Sequence, residues 1–243
     1  MSDLLFLIPL LPLAAFCINI LLGRSLIRGN AHWVAMPAVF GSWILSLLVL
    51  LDMDNNQEAL SQRLFTWIPA GDFNVTASLY VDQLTAIMLM VVTTVGLLVH
   101  VYSVGYMDGD PGFYRFFSYL PLFVFSMLML VLADNLLVLF VFWEAVGLCS
   151  YLLIGYYFRR RSAGNAARKA FIVNRVGDLG FGLGIMLAFW TFGTISFYGE
   201  EGIFERAFNH EALGIAGGTM TLMGILLFIG ACGKSAQFPL HVW

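Results

Sequence analysis

Five ionisable side chains sit in runs that are otherwise apolar, and together they are of types that could carry protons: His100, Glu144, Arg175, Asp178 and Lys234. Glu144 asks for an explanation first. It lies within NLLVLFVFWEAVGLCSYLLIGYYF, residues 135–158, a stretch of membrane-spanning length with no other charge. As a helix that stretch is about 36 Å long and the glutamate is about 14 Å from its start, near the middle of a ~30 Å hydrocarbon core. An acid at mid-helix costs about 2.5 to 3.5 kcal/mol on insertion scales. Such residues face a bundle interior or a wet cavity, pair with a cation and mark an ion or proton path. The plainer reading is a packing acid hydrogen-bonded to a neighbour, and the functional reading is preferred to it.

Arg175 and Asp178 are three residues apart, so a helix puts them on one face where each partly neutralises the other. That arrangement suits either a local ion pair easing insertion or a charge relay, and the spacing leaves both open. His100, alone and late in its run, reads first as a packing histidine and second as a proton carrier. Lys234 follows Gly230 and Gly233 and precedes Pro239, a combination that breaks or kinks a helix and frees backbone carbonyls. Interrupted membrane helices are tolerated where they line a cavity, and ion sites are commonly built there. If its helix begins after Gly217 and Gly218, Lys234 is about 24 Å along it, where a snorkelling lysine is the competing reading.

The elements that must position these groups are membrane helices. Of 243 residues 60% are hydrophobic and 11% charged, with a mean hydropathy of +0.86, whereas soluble domains carry about 25% charged residues. The composition predicts an all-α integral membrane protein, a polytopic bundle. Six or seven spans follow from uncharged runs of about 18 residues or more: residues 4–22, 33–51, 84–107, 116–133, 135–158, 170–190 and 213 onward. The first has Asp3 where a signal peptide needs a positive start, and no small-x-small cleavage site before Arg24, so it is kept as a true span.

Orientation follows from the basic residues, because short cytoplasmic loops carry the Lys and Arg excess. Arg24, Arg28, Arg115, Arg159, Arg160, Arg161, Arg168 and Lys169 fall in odd-numbered loops, against Arg63 and Arg206 in even ones. The N-terminus is therefore expected outside, the loop 159–169 in the cytoplasm, and the loops 52–83 and 191–212 outside. Within the first of these outer loops, TWIPAGDFNVTASLYVD alternates in the manner of a short β-hairpin.

Several tempting motifs dissolve on inspection. GKS at 233–235 would end a phosphate loop only with a glycine at position 228, which is Phe228. Gly177, Gly180, Gly182 and Gly184 follow no strand, and Gly180 with Gly184 reads instead as a small-xxx-small face for close helix packing. Cys17, Cys149 and Cys232 form no paired motif, so no disulfide framework or metal site is expected. The Asn74-Val75-Thr76 sequon is given no weight. A net charge of -3 without a long basic run sets nucleic acid aside.

ADNLLVLFVFWEAVGLCSYLLIGYYF, ARKAFIVNRVGDLGF and GKSAQFPLHVW resemble the antiporter-like chain L (subunit 5) family of respiratory complex I, as do VDQLTAIMLMVVTTVGLLVHVYSVGYM and FYRFFSYLPLFVFSMLMLVLADN. The resemblance runs through the whole chain. It implies a proton-translocating membrane subunit of an NADH:quinone oxidoreductase, with the fifth-helix glutamate at Glu144 and the lysine of a discontinuous seventh helix at Lys234. Asp178 and Arg175 fall on the family's sixth-helix charged pair, and His100 also matches a family position. The architecture implied is the first half of an inverted-repeat fold: helices 1–3 in residues 1–115 with the outer loop 52–83, then the start of the first repeat, helices 4–7, in residues 116–243. Family members continue well past this length, and the chain is expected to be the N-terminal portion of such a subunit.

No cofactor is expected in this chain; NADH, FMN, iron-sulfur clusters and quinone would belong to partner subunits. The expected partners are other membrane-arm subunits, including neighbouring antiporter-like ones, and the lipid of a bacterial inner membrane with a periplasmic N-terminus. The alternative is the large subunit of a multisubunit cation/proton antiporter, which is similar across the same helices. A scaffold whose charges only hold helices together is the reading from another class. On the first of these readings Glu144 and Lys234 are expected to form a pair that opens and closes, since burial disfavours the charged form of each and contact favours it.

Overall fold

A computed structural model describes residues 2–56, 58–70, 73–199 and 201–243, without the side chains of Ser2, Phe73 and Asn74. Among the described residues, seven helices are long and apolar enough to cross a membrane. The sequence expectation of a polytopic helical bundle therefore holds. The chain packs as two compact units, residues 1–65 with 78–133 and residues 66–77 with 134–243.

The first unit holds α1 (Leu7–Leu22), α2 (His32–Asn56), α3 (Gln83–Tyr106) and α4 (Phe113–Val131). Asp82 starts α3 by accepting a hydrogen bond from the Thr85 amide at 2.7 Å, which supplies one of the acceptors a helix N-terminus lacks. Inside, Leu5, Ile8, Val39, Leu89, Val124 and Leu128 form the apolar centre. Polar ties cross it. Asn19 Nδ2 donates to the carbonyls of Ala31 and Phe117 at 3.0 and 2.8 Å, and Trp43 Nε1 donates to Thr94 Oγ1 at 2.9 Å. Hydrogen bonds of this kind add to van der Waals packing in holding helices together in lipid, where hydrophobic burial between helices supplies no drive.

The hairpin expected in the outer loop is present and longer than anticipated, with β1 (Leu60–Ala70) paired to β2 (Phe73–Val81). Val75, Ala77, Leu79 and Val81 are buried and the residues between them are not, which is the period-two pattern of a half-buried strand. Residues 71–72 and the side chain of Asn74, in the sequon, lie outside the described residues.

The second unit holds α5 (Leu136–Ile154), α6 (Arg161–Phe192), the short α7 (Ile203–Phe208) and α8 (Gly217–Lys234). Asn135 caps α5, its Oδ1 accepting from the Val138 amide at 2.9 Å while its Nδ2 donates to the Thr76 carbonyl at the same distance. Two expectations need correction here. The sixth helix starts at Arg161 rather than near Ala170, so most of the basic stretch 159–169 is helix and the true loop is short. Charge keeps a segment out of hydrocarbon but does not stop a helix, and SAGNAARKA is rich in good helix formers. With 32 residues α6 is about 48 Å long, well beyond the hydrocarbon thickness. The second correction is α7, a turn and a half of helix within residues expected to be loop. Arg206 at its end ion-pairs with Glu201 at 3.5 Å and donates to the Phe192 carbonyl, closing the C-terminus of α6 where Gly193 turns left-handed at φ +68°.

Candidate functional site

Helices α6 and α8 make the most intimate contact of the second unit, and glycine is the reason. A Cβ on Gly177 would come 3.0 Å from the Cα of Gly233, and one on Gly230 would come 2.5 Å from the Cβ of Phe181. Gly180 and Gly184, read from sequence as a packing face, meet Ile229 and Leu227 in the same way. The consequence is positional: Lys234, the last residue of α8, is held level with the middle of α6.

The helix ends there, as Gly230, Gly233 and Pro239 led us to expect. Ala236 takes a left-handed φ of +50° and residues 235–243 are not helical. Of the carbonyls released, that of Gly233 accepts a hydrogen bond from Trp243 Nε1 at 2.9 Å and that of Cys232 accepts from the Gln237 amide at 3.0 Å. The helix starts at Gly217, so Lys234 is about 26 Å along it.

Four of the five singled-out residues meet in this unit, drawn from α5, α6 and α8. Arg175 Nη2 forms an ion pair with Glu144 Oε2, and Arg175 Nη1 lies 3.9 Å from Asp178 Oδ2. The shared face expected for Arg175 and Asp178 is therefore real, with Glu144 as the arginine's nearer partner. Asp178 is 4% exposed and Glu144 21%, yet both Glu144 oxygens are shut off from solvent. Phe171 receives the other face of the guanidinium, its centroid 4.6 Å from Arg175 Cζ.

Lys234 is placed differently from the expected pair with Glu144. Among the described residues its Nζ makes neither a hydrogen bond nor an ion pair within 4.0 Å. It lies 5.7 Å from the Trp143 ring centroid and against the bare backbone of Gly147, where a Cβ would come 2.6 Å from the ammonium. Gly147 is three residues past Glu144, so the lysine stands one helical turn from the carboxylate that the arginine occupies. The reason for the different pairing is reach: Arg175 projects from the middle of α6 directly at Glu144, and its planar fork suits a carboxylate.

Trp143 was not singled out from the sequence. Its Nε1 donates to Asp178 Oδ1 at 2.8 Å, its ring stacks on Phe181 with centroids 4.9 Å apart and planes 1° from parallel, and its face is turned to Lys234. It thus touches the acid and the base at once. The only hint was its place beside Glu144 in a chain with six tryptophans and 22 phenylalanines. Asn174, one position before Arg175, is also buried, with its Oδ1 unpartnered.

His100 belongs to the first unit. Its Nδ1 is 2.7 Å from the Gly96 carbonyl, an interaction that needs the proton on Nδ1, and Phe117 packs edge-on at 6.2 Å. Nε2 is buried without a hydrogen-bond partner. These contacts suit the packing reading.

A cluster of two carboxylates, an arginine and an unpartnered lysine in an apolar shell holds groups between which a proton can be relocated when the ion pair changes partner. It has the parts of a proton relay. Residues 67–117 match the family model described as NADH-Ubiquinone oxidoreductase (complex I), chain 5 N-terminus, and residues 133–243 that described as NADH:quinone oxidoreductase/Mrp antiporter, TM. The NADH-quinone oxidoreductase subunit L of Neisseria meningitidis serogroup B is 45% identical over 246 residues, covering 99% of this chain and 36% of the relative. That of Mycobacterium tuberculosis is 44% identical over 243 residues, covering 98% and 37%. The chain thus spans about a third of the length of the relatives it matches. The structure of an Mrp complex from a Dietzia species matches with a TM-score of 0.80 at 27% identity, over 98% of this chain and 24% of that one. An archaeal membrane-bound sulfane sulfur reductase shares the fold, with a TM-score of 0.82 at 16% identity over all of this chain and 47% of that one.

Proposed function

The chain belongs to the family of NADH-quinone oxidoreductase subunit L, the antiporter-like chain 5 of complex I, and from that membership we propose that it is part of a subunit that moves protons across a bacterial inner membrane while partner subunits carry out NADH oxidation and quinone reduction. The observation that carries the proposal is the cluster of Glu144, Arg175, Asp178 and Lys234, assembled from three helices with Lys234 Nζ and Glu144 Oε1 unpartnered. In this reading the structure is one state of a relay. Glu144 is locked to Arg175; when that pair opens, the carboxylate is free to draw on Lys234 one turn away, and the proton moves along Lys234 as the partners exchange. His100 is a further, more distant candidate in sequence. The division of the chain into residues 1–115 and an antiporter-like repeat from residue 116 is proposed on the same footing, as are membrane-arm partners that include other antiporter-like subunits.

Reconstitution of the whole parent complex tests the reading. Glu144→Gln, nearly isosteric and unable to ionise, should lower proton pumping in proteoliposomes while NADH oxidation by a water-soluble acceptor persists. Pumping equal to wild type in an assembled complex would return the cluster to a packing role. The Mrp likeness supports a second reading, a subunit of a multisubunit cation/proton antiporter. Co-migration of the tagged protein with NADH dehydrogenase activity on a native gel favours the first reading, and migration without it the second.

A further inference from the structure

In the first unit the chain leaves α1 irregularly. A single π turn, Gly23–Ile27, runs into a tight turn at Arg28–Asn30, and Arg28 adopts φ +48° and ψ -111°. Residues other than glycine seldom take this conformation, which costs about 1 to 3 kcal/mol and recurs at ligand clamps. Gly23 is fixed against α4, since a Cβ there would lie 2.8 Å from the ring of Tyr114. Between this turn and the start of α4 is a cavity of about 420 Å³, with Arg24 and Arg28 on one side and Pro111, Phe113 and Tyr114 on the other. Asp110 also lines it, its Oδ1 accepting from the Gly112 amide at 2.7 Å.

The charge in this cavity is unbalanced. Among the described residues neither arginine has an ion-pair partner, and the lining holds two guanidinium groups and one carboxylate. Its depth is marked by aromatic residues. The end of α1, the start of α2, the end of α3 and the start of α4 lie on one side of any membrane these helices cross, and there Trp33, Tyr102 and Tyr106 are 69%, 71% and 65% exposed. Exposed tryptophan and tyrosine at helix ends gather at headgroup level. Leu21 and Leu26, each 75% exposed, flank Arg24 in sequence and offer apolar surface beside the charge.

We propose that this cavity binds the phosphodiester of an anionic phospholipid headgroup, gripped by Arg24 and Arg28, with its acyl chains over Leu21 and Leu26. Arginine forks fit phosphate oxygens in pairs. With two arginines and one carboxylate in its lining, the cavity favours a phosphodiester whose headgroup carries no ammonium. Inorganic phosphate shares the recognition chemistry but has no chains for the apolar flank.

The test uses the full-length parent subunit in its complex, in nanodiscs of phosphatidylcholine doped with photoactivatable phosphatidylglycerol. Lipid adducts are expected on peptides covering residues 20–30 and 108–116. Arg24→Gln and Arg28→Gln should each lower the yield about fivefold, the ratio equivalent to ~1 kcal/mol per basic residue at an anionic surface. Arg24→Lys, which keeps the charge, should retain a substantial part, and assembly of each variant is verified on a native gel. Unlabelled phosphatidylglycerol should compete and inorganic phosphate should not. Equal labelling by a phosphatidylcholine or phosphatidylethanolamine probe, unchanged labelling in the double glutamine variant, or competition by phosphate as strong as by lipid would each overturn the proposal. Because lipid capture is read without turnover, the result is independent of whether the cluster around Glu144 moves protons.

Discussion

Lys234 is the residue on which a relay and a mere counter-charge part ways. A lysine gives up its proton readily when its surroundings change, whereas arginine stays protonated. Lys234→Arg preserves the positive charge, and it should nonetheless reduce pumping by about a hundredfold, the low end of what a lost proton-transfer group costs. Proteoliposomes that acidify at the wild-type rate with assembled Lys234→Arg complex would assign the lysine a static role. Gly147 offers a finer probe. A methyl group there would sit 2.6 Å from Nζ, so Gly147→Ala must push the ammonium aside without altering any ionisable group. The expected outcome is impaired pumping with normal NADH oxidation by a soluble acceptor, and Gly147→Ser should behave alike. Trp143→Phe keeps the ring under Lys234 but removes the N–H that Asp178 accepts at 2.8 Å. A lost hydrogen bond to a charged group is worth about 1.5 to 3 kcal/mol, and the infrared carboxylate bands of Asp178 should shift in this variant but not in Trp67→Phe. At this scale the sequence was informative about which groups matter and silent about who pairs with whom. Glu144 and Lys234 announce themselves as charges in apolar runs, but pairing depends on the rotation of α5 against α6, which no spacing within one helix encodes.

At the scale of elements, the contact between α6 and α8 depends on missing side chains. Gly177→Ala would drive a methyl to within 3.0 Å of the Gly233 backbone, which has no flexible end to give way. Such overpacking costs about 1 to 3 kcal/mol, and the thermal unfolding midpoint of the detergent-solubilised parent should fall. Gly224→Ala, on the facing helix α8 but with nothing within 4 Å, is the control; replacing a helical glycine gains about 0.5 to 1 kcal/mol, so it should match or exceed wild type. The glycine spacing that reveals this contact was visible in the sequence, because small residues four apart have few other uses in a membrane helix. The start of α6 was not. Basic residues were read as loop, yet Arg161, Arg168 and Lys169 ride on the first turns of the helix, and Arg168 donates to Asn165 at 2.7 Å along its side.

For the whole molecule, the test is of sidedness. Eight basic residues fall in odd connections or at the helix ends beside them and two in even ones, so Arg160→Cys should react with an impermeant thiol reagent from the cytoplasmic face and Glu201→Cys from the opposite one, in a background without native cysteines. Labelling of Glu201→Cys from the cytoplasm would invert the topology. The number of spans was legible because hydrocarbon thickness imposes a minimum length on every apolar run. The partition into two units was not, since it reflects α4 packing with α1 rather than any break in composition.

The bare crossing of α6 and α8 also limits how the molecule can move. Helices that meet through side chains can roll, because a layer of rotamers rearranges between them. At Gly177 and Gly233 that layer is missing and the two backbones bear directly on one another. Rolling would drive Ile229 or Phe181 into a backbone, and sliding would have to jump a full turn of about 5.4 Å before glycines faced glycines again. The pair is therefore expected to move as one body, with the Lys234 side chain at its edge as the part that reorients. Spin labels on the outer faces of α6 and α8 should keep a constant separation during turnover while the environment of Lys234 changes.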